Sequence, residues 1–239
     1  MNRSMNRRLF LGALGTGVSS SLLAACGSEG PRSAAGFLHG AERRNEPLER
    51  WLFRTSARDY VADDAKLARS AFPSYFVSPT VPMWDPATRG PWRLRVEGAV
   101  RRPLTLSLEE LMALPGITQR VNHFCVEGWN ARAEFRGIRV LALAKLAEVT
   151  PDAGYVDFQS FDNSYHESWD LESAMHPQTI VAYGREGHML NPLQGAPARV
   201  HSPVKLGYKN TKYLTRIVFM PARNGGYWTD RGYEWFAGV

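Results

Sequence analysis

The segment from Asn122 to Trp129, "NHFCVEGW", brings an amide, an imidazole, a thiol and a carboxyl together in one short run. Its thiol, Cys125, is one of two in the chain; the other, Cys26, lies near the N-terminus. A thiolate is a soft donor that suits zinc, copper, iron–sulfur clusters or molybdenum. Zinc and iron–sulfur sites commonly draw three or four ligands from the protein, often several cysteines. A lone thiol fits better with a metal whose other ligands arrive with a cofactor. The plain alternative is a buried, inert cysteine, since free cysteine is among the most buried residue types. Glu127 and Trp129 place a carboxylate and an apolar ring after the thiol, which makes Cys125 and Glu127 the candidate catalytic pair. His123 shares a strand face with Cys125 if the segment is extended, and Asn122 points the other way.

A second concentration lies downstream. Arg199, Lys205, Lys209, Lys212 and Arg216 occur with no acidic residue between them. Cations with backbone N–H groups at a tight turn near Gly207 and Asn210 suit a phosphomonoester. A solvated basic face is the alternative. His39, His166, His176 and His188 show no metal-ligand spacing.

These residues need a scaffold. "WRLRVEGAV" (Trp92 to Val100) alternates as a half-buried strand. "SLEE" (Ser107 to Glu110) is a capping box that opens a short helix before Pro115. "QRVNHFC" reads as the strand that ends on Cys125. "VLALAKLAEV" (Val140 to Val149) is an apolar helix closed by Pro151, and "YVDFQSF" alternates again. Asp170 caps a short helix, and "TIVAY" and "YLTRIVFM" are the last strands. Strands and short helices mix without a βαβ rhythm or a Gly-rich nucleotide fingerprint, so the expected class is α+β, a mixed sheet with short peripheral helices.

The N-terminal residues are of another kind. Arg3, Arg7 and Arg8 precede a stretch without charge from Leu9 to Ser28, the pattern of a signal peptide. Glycine and serine interrupt it too often for a membrane span of roughly 20 apolar residues. "NRRLFLG" resembles a twin-arginine signal, and "LAAC" resembles a lipobox with Cys26 acylated. The expected organisation is a leader over 1–25, a lipid-anchor tether and arm over 26–70, and one compact domain over 71–239. The protein is then expected on the periplasmic or cell-envelope side, held to a membrane through lipid on Cys26. Cys125 would stand unpaired in a compartment where cysteines usually pair. Export in the folded state suits a cofactor loaded in the cytoplasm. The net charge of +6 forms no polybasic stripe, so no nucleic-acid role is expected.

"NHFCVEGWNARAEFRGIRVLALAKL" resembles the molybdenum-bearing segment of the sulfite oxidase superfamily, and most closely its bacterial branch, which includes periplasmic methionine-sulfoxide reductases. "GAPARVHSPVKLGYKNTKYLTRI" (Gly195 to Ile217) resembles the pterin-binding region of the same family. The resemblance runs from about Ser74 to Val239. It implies one molybdenum–molybdopterin per chain, with Cys125 as the metal ligand and a sulfite-oxidase-like catalytic domain. It places Ser160 against the pterin, Gln194 where relatives carry Asn, and Arg199 in the cofactor site. Asn210, Thr211 and Lys212 match the turn that holds the pterin phosphate. Beside the resemblance, the basic run adds Lys205 to the expected cofactor contacts, strand alternation with Arg199 adds His201, which stands where many relatives carry an apolar residue, and the face shared with Cys125 adds His123 as a donor to the cofactor. Phe76, Ser78 and Pro79, in "SYFVSPTVP", stand for the upstream wall.

The resemblance also bears on the reaction. In sulfite oxidases a basic pair closely follows the ligand cysteine; here "VEGW" follows. Glu127 opposes a sulfite anion, and Trp129 offers an apolar wall to a neutral S-oxide. Reduction of S-oxides, methionine-sulfoxide-like, is therefore expected, with sulfite dehydrogenation as the alternative while Arg132 and Arg136 can reach inward. No C-x-x-C-H haem motif occurs. A haem-containing membrane protein or a soluble cytochrome is implied as electron partner. Two other classes are a non-catalytic lipoprotein that keeps the fold and a copper-storage lipoprotein. The first would lack Cys125 or the basic segment, and the second would need Met/His clustering.

Overall fold

The computed structural model describes residues 35–52, 72–162 and 164–239. The leader and lipobox expected over 1–26, and most of the arm over 26–70, lie outside the described residues. The chain divides into a small unit, Met1–Leu48, and a large one, Glu49–Val239. Helix α1 (Ala35–Leu52) is the first described element.

Two five-stranded sheets make the large unit. The first has the order β2-β1-β10-β5-β6, from β1 (Leu94–Gly98), β2 (Leu104–Leu106), β5 (Tyr155–Ser160), β6 (His166–Asp170) and β10 (Leu214–Met220). Only β1 and β10 run parallel, with Val96 opposite Ile217. The second joins β3 (Ile117–Phe124), β4 (Asn130–Arg139), β7 (Ile180–Arg185) and β8 (His188–Met189) in that order, and β9 (Arg199–His201) also pairs with β7. The α+β class holds, but the single mixed sheet of the sequence reading is two sheets, one mixed and one antiparallel.

Local chemistry explains the elements. Leu94 and Val96 are buried and Arg95 is exposed, the alternation of a strand with one face in the core. Short helix α2 (Pro86–Arg89) is capped by Asp85. In α3 (Leu108–Ala113) the capping box forms: Glu110 N–H donates to Ser107 Oγ at 3.1 Å, and Ser107 N–H to Glu110 Oε2 at 2.7 Å. In α4 (Val140–Ala147) Val140, Leu143, Ala144 and Ala147 are buried, the i, i+3, i+4, i+7 stripe of a helix lying on a core. This helix stops earlier than Pro151 would require, because Glu148 turns left-handed at φ 53°. Asp170 caps α5 (Leu171–Ala174) by accepting from Ser173 N–H at 2.8 Å.

The main core collects Leu94, Val96, Phe158, Trp169, Ile217 and Phe219 from the first sheet with Ile138, Val181 and Val200 from the second. Strand β5 departs from simple alternation. Its Asp157 is buried and receives the Nδ1 of His166 at 3.0 Å, with amide donors from Gln159 and Asn224. The Asp157 partner holds the His166 imidazole above its usual 6.5. A raised folded value means that this contact stabilises fully below about 6.5 and is lost as pH rises through the folded value. We expect His166→Gln to remove that component: the difference in melting temperature between wild type and variant should be largest in acid and shrink above neutrality.

Candidate active site

Strand β3 delivers Cys125 to a tight hairpin turn. Gly128 N–H donates to the Cys125 carbonyl at 3.0 Å, and Cys125 N–H to the Trp129 carbonyl at 2.9 Å. Gly128 adopts φ 88°, a left-handed conformation that glycine takes without a Cβ penalty. This turn followed by a left-handed residue is a common three-residue hairpin connection. It holds the thiol at the end of a rigid ladder in which Phe124 pairs with Asn130. The expected strand QRVNHFC is thus right in kind and ends one residue earlier.

Cys125 opens into a cavity of about 290 Å³. His123, Cys125, Glu127, Ser160, Arg199, Asn210, Lys212 and Phe76 all line it, so residues far apart in sequence meet there. Six other predicted residues do not line it. Ser78 N–H and Oγ donate to Asp162, and Pro79 lies beyond them. The Gln194 side chain closes its own turn by accepting from Asn191 N–H at 3.1 Å. Thr211 is buried and donates to the Phe158 carbonyl. His201 stacks on Phe135 at 3.8 Å, behind His123 rather than in the cavity. Neither His201 ring nitrogen has a hydrogen-bond partner among the described residues, so the ring packs as an aromatic.

Lys205 is the clearest correction. Its ammonium donates to Asp170 at 2.8 Å and to the Phe236 carbonyl at 2.6 Å, fully withdrawn from solvent. The basic segment as a whole sorts in the same way. Lys209 is paired with Glu167 at 2.8 Å, and the Arg216 Nε donates to Glu97 at 2.7 Å. Arg199 and Lys212 have no carboxylate in bonding distance among the described residues. Arg199 donates to the carbonyls of Gln194, Val200 and Asn210, and Lys212 to those of Tyr75 at 2.9 Å and Leu193 at 3.1 Å. Gly195 makes room for Lys212: a Cβ there, at φ 99°, would lie 2.8 Å from the lysine side chain.

The electrostatics follow from this sorting. Burial, then the charges of Arg199 and Arg185, lowers Lys212 to about 7. Burial, with Arg185 again, lowers Arg199 to about 10. Burial and the same cations hold His123 neutral, with a value near 3. The cavity therefore has an inner end where positive charge is under-compensated, which is the condition that favours a bound anion. His123 Nδ1 is buried without a partner among the described residues. Asn210 organises this end from behind: its side chain accepts from Ser202 N–H at 2.6 Å and donates to the Lys205 and Leu206 carbonyls.

The outer end is different. Glu127 accepts from the Tyr75 hydroxyl at 2.8 Å and the Trp129 indole at 3.0 Å, and these two donors lower its pKa. The Cys125 sulfur lies 3.9 Å from the same carboxylate. Burial, with the Glu127 charge nearby, raises the thiol. Arg132 and Arg136 do not line the cavity. Tyr208, Trp228 and Tyr233 also line it. Two residues escaped the sequence reading. Tyr75 neighbours the chosen Phe76 and holds Glu127. Asp162 follows Ser160 and fixes the upstream wall by accepting from Val77 and Ser78 N–H. An aromatic and an acid flanking predicted wall residues were the available signals.

The donor set fits a molybdopterin. One soft thiol stands at the cavity, two cations without carboxylates suit a terminal phosphate, and an orphaned imidazole nitrogen and the Ser160 hydroxyl can meet a polar heterocycle. Among the described residues no three His, Cys, Asp or Glu side chains gather as a metal site, so Cys125 has no protein co-ligands of the zinc type there.

Comparison with known proteins agrees. Residues 80–228 match the model of the oxidoreductase molybdopterin binding domain. The chain is 34% identical over 233 residues to a putative protein-methionine-sulfoxide reductase subunit YedZ1 of Azospira oryzae, covering 97% of this chain and 87% of that one. It is 34% identical over 157 residues to the protein-methionine-sulfoxide reductase catalytic subunit MsrP of Burkholderia mallei, covering 57% of this chain and 47% of that one. The chain thus spans about half the length of the MsrP relative. In fold it is similar to the sulfane dehydrogenase SoxCD of Paracoccus pantotrophus, with a TM-score of 0.52 and 23% identity over 55% of this chain and 38% of that one. A matched domain that contains the thiol, the cation pair and most of the cavity lining places this chain in the family of molybdopterin-binding oxidoreductases.

Proposed function

We propose that this protein reduces S-oxides, taking up two electrons and two protons and releasing the sulfide and water. The observation that carries the reading is the outer end of the cavity. A carboxylate and an indole stand beside the thiol, and among the described residues the only lysine or arginine side chains lining the cavity are Arg199 and Lys212. Those two would hold the cofactor phosphate, with Cys125 as the metal ligand and His123 and Ser160 against the pterin. When bound, the cofactor supplies a molybdenum centre that exchanges an oxygen atom and two electrons. The chain orients the substrate against Trp129, excludes water with the aromatic wall, and presents the Tyr75 hydroxyl at hydrogen-bonding distance from Glu127. The names of the two reductase relatives point the same way. Electrons would come from a haem-containing membrane protein or a soluble cytochrome. The leader read in residues 1–25 would export the folded protein by the twin-arginine route, and lipid on Cys26 would hold it to a membrane.

Sulfite is disfavoured by charge. The Glu127 carboxylate lines the cavity beside the thiol and repels an anion of the same sign. A neutral S-oxide avoids that repulsion. With reduced dye as donor, S-oxides should turn over with a higher kcat/KM than sulfite shows with an oxidised cytochrome. Faster sulfite turnover would reverse the assignment.

The two kinds of lysine should separate cleanly. Lys212→Ala should lower molybdenum content, since a charge-assisted contact is worth roughly 1.5–3 kcal/mol, while the stability of the metal-free protein changes little. Lys209→Met should instead cost about 3–5 kcal/mol of stability by leaving Glu167 buried and unpaired. Cys125→Ser should abolish metal binding in folded protein. Metal analysis beside thermal denaturation reads all three, and full molybdenum in either Lys212→Ala or Cys125→Ser would contradict the cofactor assignment.

Export has its own test. Replacing Arg7 and Arg8 together by lysine should leave folded protein in the cytoplasm, and Cys26→Ser should release exported protein from membranes. Fractionation that shows normal export of the double variant would remove the twin-arginine reading.

A further inference from the structure

We propose that Glu127 makes the cavity mouth selective for substrates that carry a positive charge beside the oxidised sulfur, such as S-oxide peptides with a neighbouring lysine or arginine. The inference rests on the S-oxide reading and adds a substrate class to it.

The argument begins with how the carboxylate is used. An ionised carboxylate offers about four acceptor positions on its two oxygens. In Glu127 both donors, the Tyr75 hydroxyl and the Trp129 indole, land on Oε2, and the Cys125 sulfur approaches that oxygen as well. Oε1 receives no donor among the described residues. The carboxylate of this cavity-lining residue is therefore fixed by one oxygen, and among the described residues the other is left to accept from a ligand. Asp162, the other acid in the lining, differs: both its oxygens accept from the Val77–Ser78 segment.

The surroundings of the open oxygen suit a cation. The rings of Tyr75 and Trp129 stack at 6.4 Å, both side chains donate to Glu127 Oε2, and both line the cavity. Aromatic faces attract ammonium and guanidinium groups. Arg199 and Lys212 would oppose a cation, but the phosphate they are suited to hold cancels their charge. What remains for the substrate is one uncommitted carboxylate oxygen next to two rings. A neutral S-oxide packs there without using that oxygen; one with an adjacent ammonium uses it.

An exposed ion pair supplemented by a ring contact corresponds to roughly a three- to tenfold gain. The test uses molybdenum-loaded wild-type protein and three peptides that differ only in the residue next to methionine sulfoxide: Lys, Gln or Glu. The expected order of kcat/KM is Lys over Gln over Glu, with the spread narrowing as salt is raised. Glu127→Gln should collapse the three values toward one another. Glu172→Gln, which removes the same charge from an exposed residue that does not line the cavity, should preserve the order. Equal values in the wild type, or an order that survives in Glu127→Gln, would overturn the proposal. If Glu127→Gln does not turn over, calorimetric binding of the corresponding methionine peptides to wild type and variant decides by the same criteria. Failure of the wild type to reduce any S-oxide would instead remove the reaction assigned above, and the binding series would still decide the charge preference.

Discussion

Glu167 is fully buried, and two segments of the chain meet on its two oxygens. Oε2 accepts from the Lys209 ammonium at 2.8 Å and the Thr229 hydroxyl at 3.0 Å, and Oε1 accepts from Trp228 N–H at 2.8 Å. A charge pair so withdrawn is a weak source of net stability, because desolvation offsets much of the attraction. Its geometric consequence is larger. The turn Gly207–Lys209 carries Gly207 and Tyr208 to the cavity, and Trp228 lines the same wall. Both are therefore placed by one carboxylate on the first sheet. The Trp169 indole adds to this by donating to the Lys209 carbonyl at 3.0 Å.

The same logic sorts the charges of the basic segment. A cation buried in a protein must be paired or must meet a ligand. Lys205 and Lys209 meet Asp170 and Glu167, neighbours on and around β6, and become parts of the scaffold. Arg199 and Lys212 meet only carbonyl oxygens, which leaves each with a lowered affinity for its proton and an unmet demand for an anion. Five like charges in one run are thus divided by the fold, among the described residues, into those that meet a carboxylate and those that do not. The division depends on acids contributed by other strands.

That dependence marks what the sequence disclosed. Cys125 and its surroundings were legible because the signal was local: one thiol, at the end of a strand-like run, before a Gly-Trp break. The capping box at Ser107 and the alternation of β1 were legible for the same reason. Lys205 was not, since nothing near it in sequence announces Asp170 or the Phe236 carbonyl. Gln194 and Asn210 misled in another way. Their amides are real hydrogen-bond anchors, but they fold the local turns that shape the site; Asn210 lines the cavity and Gln194 does not. Strand β4 went unread, although Ala131, Ala133 and Phe135 alternate inward along it. Its residues lay inside a motif whose chemistry drew the attention.

Two glutamates show how the cavity combines rigidity with recognition. Glu167 has no exposed surface and both oxygens engaged, so it can only hold its neighbours in place. Glu127 is at the mouth, held by two donors on one oxygen, with the other left open. The first fixes the wall formed by Tyr208 and Trp228; the second, with Tyr75 and Trp129, forms the wall beside the thiol. A substrate entering between them meets one surface whose polar groups are already satisfied and one that still has an acceptor to offer. Selectivity by charge can then be changed at Glu127 without disturbing the carboxylate that positions the opposite wall.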